Sequence, residues 1–255
     1  MTDNERYLFD LQGFLVVPNA LDGAWLSELN AILDQHIAEC VAPDANTHRF
    51  GGLLAWGRPY VDLLDNPVIY PYLEELLGPG FRLDHEYADI IRTGKGPIGT
   101  TLHGGATPYD PVYSYRYDNG RLRNGLLVAA YNLHDVNPGD GGFAAVPGSH
   151  KANLPFPAEW KELEVQHPCV QPVTGAAGTA ILFTEALTHG TLPWRGARER
   201  RTLFSKYSPA TISWSARYYN ADDYPGLTAR QRALLEPPNA RYAGREKHLA
   251  RGGRG

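Results

Sequence analysis

Residues 131–155, YNLHDVNPGDGGFAAVPGSHKANLP, decide how the rest of the chain is read. A short apolar run leads into the turn-rich NPGDGG, a second short run follows, and the chain breaks again at Pro147-Gly148. Runs this short, bounded by glycine and proline, are strands rather than helices. The Pro-Gly turn presents Ser149, His150 and Lys151 together, which also fits a simple turn with a capped polar cluster.

Moving outward, everything beyond Gly80 has the same texture. FRLDHEYADIIR, LLVAAYNLHDV, CVQPV, TAILFTEAL and RTLFSKYSP are apolar or alternating runs, separated by GKGP, TGAAG and PWRGARE. Before Gly80 the period changes. GFLVVPNALDG reads as a buried strand ending at Pro18. Asp22 then caps a helix with apolar positions at Leu26, Leu29, Leu33 and Ile37. In NPVIYPYLEELLG, Asn66 is an N-cap, Pro67 suits the first helical position and Gly78 terminates. Helices first and short strands afterwards imply an antiparallel double sheet or barrel with flanking helices. No internal repeat or low-complexity block interrupts it.

With 255 residues, 43% of them hydrophobic and 20% charged, the chain supports one sizeable core, expected over residues 1–242. The tail 243–255 is basic, glycine-rich and expected to be flexible. A net charge of −4 argues against a nucleic-acid partner. The start has no signal-peptide core and no run approaches a membrane span, so a cytoplasmic protein without a membrane partner is expected. Two cysteines, Cys40 and Cys169, in a chain this long fit a reducing compartment.

Nine histidines require sorting. His36, His48, His167 and His248 lie in helical, loop or tail contexts, and His134 in NLHDVN reads as turn-stabilising. His103 in TTLHGGATP and His189 in TAILFTEALTHG each border a glycine at the edge of an apolar run. A sheet there holds an imidazole rigidly enough to ligate a metal.

YLFDLQGFLVVPNAL, the central segment 131–155 and THGTLPWRGARERRTLFSKY, in that order, resemble the phytanoyl-CoA dioxygenase family of iron(II)- and 2-oxoglutarate-dependent oxygenases. The resemblance implies a mostly β, double-stranded β-helix (cupin-like jelly roll) with N-terminal helices, and iron(II) and 2-oxoglutarate as cofactors. It places His103 and His189 on the metal. The co-substrate arginine falls on Arg200, with Arg201 as runner-up, and Thr202 or Ser205 adds a hydroxyl. A guanidinium fork matches the far carboxylate of 2-oxoglutarate better than an ammonium would.

The departure is Gly105, which stands where the family has an aspartate ligand. Three consequences are open. The first is halogenation: chloride takes the vacated position, as in relatives with glycine or alanine there, and an unactivated aliphatic C–H is chlorinated. The second is hydroxylation, with Asp110 or Glu185 supplying the carboxylate at an unusual spacing. The third is a non-catalytic ligand-binding module. The sequence reading favours the first.

The substrate is expected to be a small molecule. In YDPVYSYRYDNGRLRNG, Arg116, Tyr117 and Arg123 offer stacking and anion contacts at the rim of the proposed iron site. They would suit, for example, the sugar-bearing substrate of a deoxyadenine nucleotide halogenase. The competing reading is a hairpin turning at DNG with solvated arginines.

Overall fold

The computed structural model describes residues 1–164 and 166–239. Its strands are β1 (Phe14–Val17), β2 (Thr47–Gly51), β3 (Arg82–Ile91), β4 (Tyr115–Asp118), β5 (Arg121–Asn124), β6 (Leu127–Asn132), β7 (Gly142–Ala145), β8 (Gln171–Pro172), β9 (Ala180–Thr184), β10 (His189–Leu192) and β11 (Arg200–Ser208). Six form a sheet in the order β1-β9-β6-β11-β3-β2, and three form a second sheet, β10-β7-β8. Every pairing is antiparallel. Val128, Ala130, Phe183 and Phe204 of the large sheet pack against Phe143 and Ala145 of the small one, closing a double-stranded β-helix. The segment before Gly104 extends the small sheet through an antiparallel bridge between His103 and His189.

The helices are α1 (Asp3–Gln12), α2 (Gly23–Cys40), α3 (Arg58–Val61), α4 (Tyr70–Leu77) and α5 (Ala229–Leu234). Phe9, Leu29, Leu33, Leu73 and Leu76 lie against Leu127, Ala129, Tyr131, Leu182, Leu203 and Tyr207 on the outer face of the large sheet. Each fully buried leucine or phenylalanine among them contributes about 1.5–3 kcal/mol. Alternation along β11 therefore divides two jobs: Leu203 and Tyr207 face the helices, while Phe204 faces the interior.

The expected α2 begins as read, with the Asp22 side chain accepting from the Trp25 N–H at 2.8 Å. Asn66 instead organises the turn before α4: its side chain accepts from Val68 and Ile69, and the helix starts at Tyr70. α1 is an addition to the expected elements. A capping box between Thr2 and Glu5 starts it and buried Phe9 anchors it. β2, THRFG, is too polar to announce itself. The 131–155 stretch resolves into β6, turn, β7 and turn, as expected, and DNG turns the β4–β5 hairpin with both Asn119 (φ 51°) and Gly120 (φ 74°) left-handed. Cys40 and Cys169 are free thiols. Among the described residues no helix is long and apolar enough to cross a membrane. The basic tail at 243–255 lies outside the described residues.

Candidate active site

The two central histidines meet across the β-bridge. His103 N–H donates to the His189 carbonyl and the reverse bond also forms, both at 2.9 Å, and the ring centroids are 4.3 Å apart. Each ring uses Nδ1 on the carbonyl two residues upstream: His189 on Leu187 at 2.7 Å, His103 on Thr101 at 3.2 Å. A carbonyl only accepts, so Nδ1 carries the proton and Nε2 keeps its lone pair, which is how metal-binding imidazoles are oriented. Burial and the adjacent His103 push the His189 pKa down to about 3, so its ring is neutral near pH 7.

Glu185 joins them. β9 ends at Thr184, and the following turn returns the chain so that Glu185 Oε2 stands 3.9 Å from His189 Nε2. Burial opposes ionisation of this carboxyl, but Lys206, bonded to Oε1 at 2.5 Å, holds its pKa down to about 2. Among the described residues no three His, Cys, Asp or Glu side chains already stand at metal-cluster spacing. Neighbouring ligands of an octahedral ion with bonds of about 2.1 Å lie roughly 3 Å apart. A movement of about 1 Å would bring Glu185 Oε2 to that spacing from His189, and two imidazoles plus a carboxylate suit iron(II). Asp110, the other carboxylate considered from the sequence, is exposed and caps its own turn through the Val112 N–H.

Gly105 is half-buried with φ +109°, where a Cβ would stand 3.1 Å from Thr188 Oγ1. The backbone here is shaped for glycine. Gly104 is tighter still, since its Cβ would meet the Leu187 carbonyl at 2.4 Å. The HGG motif thus lets the loop lie against the turn that carries Glu185 and His189.

A second polar cluster lies further along the interior. Arg200 is buried, and its Nε and Nη1 have no partner. Burial lowers its pKa to about 10, which leaves it charged near neutrality. Gly142 makes room for it, because a Cβ there would lie 3.2 Å from the guanidinium Nε. Thr202, next on that face, has a buried hydroxyl without a partner, and so does the side-chain amide nitrogen of the opposing Asn132. Buried donors left open in this way fit an anionic ligand. Asn132 escaped the sequence reading because nothing in YNLHDV separates a ligand amide from a strand-end residue.

Arg201 is corrected by strand parity. It points outward to Glu199 (2.7 Å), Asn30 (3.0 Å) and Asp34 (2.6 Å), where it ties β11 to α2. Ser205 shares its parity and lies across β11 from Arg200, Thr202 and Lys206. The PGSHK turn is scaffold with a purpose. Ser149 Oγ accepts the Thr188 N–H at 2.7 Å while its carbonyl accepts the Ala106 N–H at 3.3 Å, so one residue braces both histidine segments. His150 bonds the Asp10 carbonyl of α1, and burial depresses its pKa to about 4. His134 holds the Glu199 carbonyl, the turn role expected of it.

The hairpin expectation also needs correction. Arg116, Tyr117 and Arg123 line a cavity of about 1030 Å³ with α1, α4 and the segment after β11, and neither histidine contributes to that lining. Arg123 faces Asp118 at 3.4 Å. From the same segment it is Tyr113 that feels the charges of Glu185 and Lys206, and its hydroxyl accepts from the Trp214 indole N–H. Trp214 in turn packs on His85, with ring centroids 4.7 Å apart, and is half exposed.

This is a double-stranded β-helix in which two histidines meet across a β-bridge. Residues 88–202 match the family model described as Phytanoyl-CoA dioxygenase (PhyH). Structures of HygX from Streptomyces hygroscopicus are similar at 25% identity over 89% of this chain. The form with nickel and 2-oxoglutarate bound has a TM-score of 0.76 over 95% of its own length. The form that also holds hygromycin B scores 0.74 over 95%, and the iron-bound form 0.71 over 94%. No curated protein matches the chain. The matched stretch carries His103, His189 and Arg200, and it is similar to the phytanoyl-CoA dioxygenase family.

Proposed function

We propose that the protein binds iron(II) through His103, His189 and Glu185 and 2-oxoglutarate through Arg200, Thr202 and Asn132, and hydroxylates a small molecule. The observation that carries this is the approach of Glu185 Oε2 to within 3.9 Å of His189 Nε2, with the His103 and His189 ring centroids 4.3 Å apart. Iron with 2-oxoglutarate and oxygen supplies the oxidant: R–H, O2 and 2-oxoglutarate give R–OH, succinate and CO2. The chain's part is placement. Leu187 and Thr101 fix the imidazole tautomers, and Arg200 anchors the far carboxylate. A buried carboxylate beside the histidines both fills a halide's space and repeats its charge, and this shifts the balance away from chlorination.

Chlorination stays the second reading because of one observation: the side of the site at Gly105 is bounded by Thr188 Oγ1 and carries no carboxylate. The substrate class proposed is a polar, ring-containing small molecule that packs against Trp214 and Tyr113. Hygromycin B on HygX supports this choice, and nucleotides belong in the same trial. The test is succinate release by anaerobically iron-loaded protein given oxygen, with and without chloride, against aminoglycosides and deoxynucleotides. Chloride-independent turnover with one oxygen gained supports hydroxylation. A product with chlorine for hydrogen, and Glu185→Gln that still binds iron, overturns it in favour of the halogenase.

A further inference from the structure

Lys206 is a buried cation that the proposed chemistry does not yet use. It sits on the interior face of β11, beyond Arg200, Thr202 and Phe204, with its side chain only 13% exposed. Its ammonium donates to Glu185 Oε1 at 2.5 Å and lies 5.5 Å from the Tyr87 ring centroid. Tyr87 is itself fixed, stacked on Phe204 at 4.8 Å and covered by Arg49 at 3.7 Å. Arg49 is fixed in turn by a two-pronged pair with Asp89, both bonds 2.6 Å. A chain of rigid contacts across three strands therefore ends at one oxygen of one carboxylate.

That choice of oxygen matters. A free carboxylate can chelate a metal through both oxygens and take two positions, whereas one held at Oε1 offers only Oε2, the oxygen facing His189. Three protein positions on one side leave three for 2-oxoglutarate and oxygen, and a chelating glutamate leaves two. We propose that Lys206 is the positioning residue that keeps Glu185 a single-oxygen ligand and so preserves the coordination position 2-oxoglutarate needs. This rests on the reading of Glu185 as a ligand. The alternative duty, neutralising a buried carboxylate for stability alone, makes no demand on co-substrate binding.

Cobalt(II) alone, and then 2-oxoglutarate added to the cobalt-loaded protein, separate the two by visible absorption without turnover. For Lys206→Met the expected result is cobalt affinity equal to or above wild type, while the 2-oxoglutarate dissociation constant rises at least about tenfold. Lys206→Arg should restore it. Unchanged 2-oxoglutarate binding in Lys206→Met overturns the proposal. If Lys206→Met does not fold, Lys206→Gln, which keeps a donor to Oε1 without the charge, takes its place: near-normal 2-oxoglutarate binding supports positioning, and weakened binding overturns it. Glu185→Gln tells the two failures apart. If it loses cobalt while Lys206→Met binds 2-oxoglutarate normally, only the lysine's role fails. If Glu185→Gln binds cobalt normally, the carboxylate reading fails and takes the lysine's role with it.

Discussion

Arg200 and Arg201 are adjacent and chemically identical, yet strand alternation gives them separate fates. Arg200 is buried with open donors, and Arg201 is spent on Glu199, Asn30 and Asp34. Charge-assisted hydrogen bonds contribute about 1.5–3 kcal/mol each. Arg200→Gln should therefore raise the 2-oxoglutarate dissociation constant by roughly 10- to 100-fold with little loss of stability. Arg201→Gln should do the reverse, lowering the urea midpoint with co-substrate affinity intact; titration and urea unfolding of both variants check this. The sequence motif located the pair and could not say which member faces inward, because that depends on register. Gly105 carries the same lesson. Its φ of +109°, and the Thr188 hydroxyl 3.1 Å from where a Cβ would stand, mean that Gly105→Asp installs strain before it installs a ligand. The expected outcome is a loss of about 1–3 kcal/mol in stability, with no gain in iron affinity. A tighter iron complex in that variant would show that the loop relaxes to accept a third ligand at this position.

At the level of elements, the PGSHK turn couples α1 to the site. His150 reaches α1 through the Asp10 carbonyl, Lys151 pairs with Asp10 at 2.9 Å, and Ser149 braces the segments of both histidines. Gly13, which ends α1 at φ +84°, allows the approach: its Cβ would stand 2.6 Å from His150 Nδ1 and 2.9 Å from Leu187 Cδ1. Gly13→Ala should cost about 2–4 kcal/mol through overpacking and backbone strain. It should also weaken iron binding, because Leu187 carries the carbonyl that orients His189. Thermal melts of metal-free and metal-loaded protein read both effects, and a purely local clash would leave the metal-induced shift in Tm unchanged. The strands, α2 and the turns were legible because periodicity and turn residues are local. α1 was not, since Phe9 is its one buried residue and the sheet, not its own pattern, holds it. The carboxylate at Glu185 ranks low in the sequence for the same reason: spacing along the chain hides a turn that brings it back to the histidines.

For the molecule as a whole, Glu86 sets a test of stability against pH. It is buried on the outer face of β3, where neither oxygen has a well-placed donor, although the Leu53 and Leu54 N–H groups and the Tyr219 hydroxyl lie close enough to help a little. Desolvation wins and raises its pKa from 4.5 to about 7. Between those values the folded protein keeps a proton that the unfolded chain has lost. Its contribution is therefore complete below pH 4.5, declines as pH rises, and is gone above about pH 7, amounting to roughly 3 kcal/mol. His150 runs the other way: its pKa, depressed from 6.5 to about 4, adds stability as pH rises through that interval. His189 and Glu185, both depressed, contribute with the same sign as His150, so the wild-type profile sums opposing contributions and only a difference isolates the Glu86 carboxyl. Glu86→Gln should match wild type in urea unfolding at pH 4.5 and exceed it by about 2–3 kcal/mol at pH 8. The site couples β3, the Leu53–Leu54 turn and the segment at Tyr219, so the gain should appear in one cooperative transition, with near-UV and far-UV signals moving together. Parallel pH profiles for the two proteins would mean that water or a rearranged Tyr219 already solvates the carboxylate in the folded state.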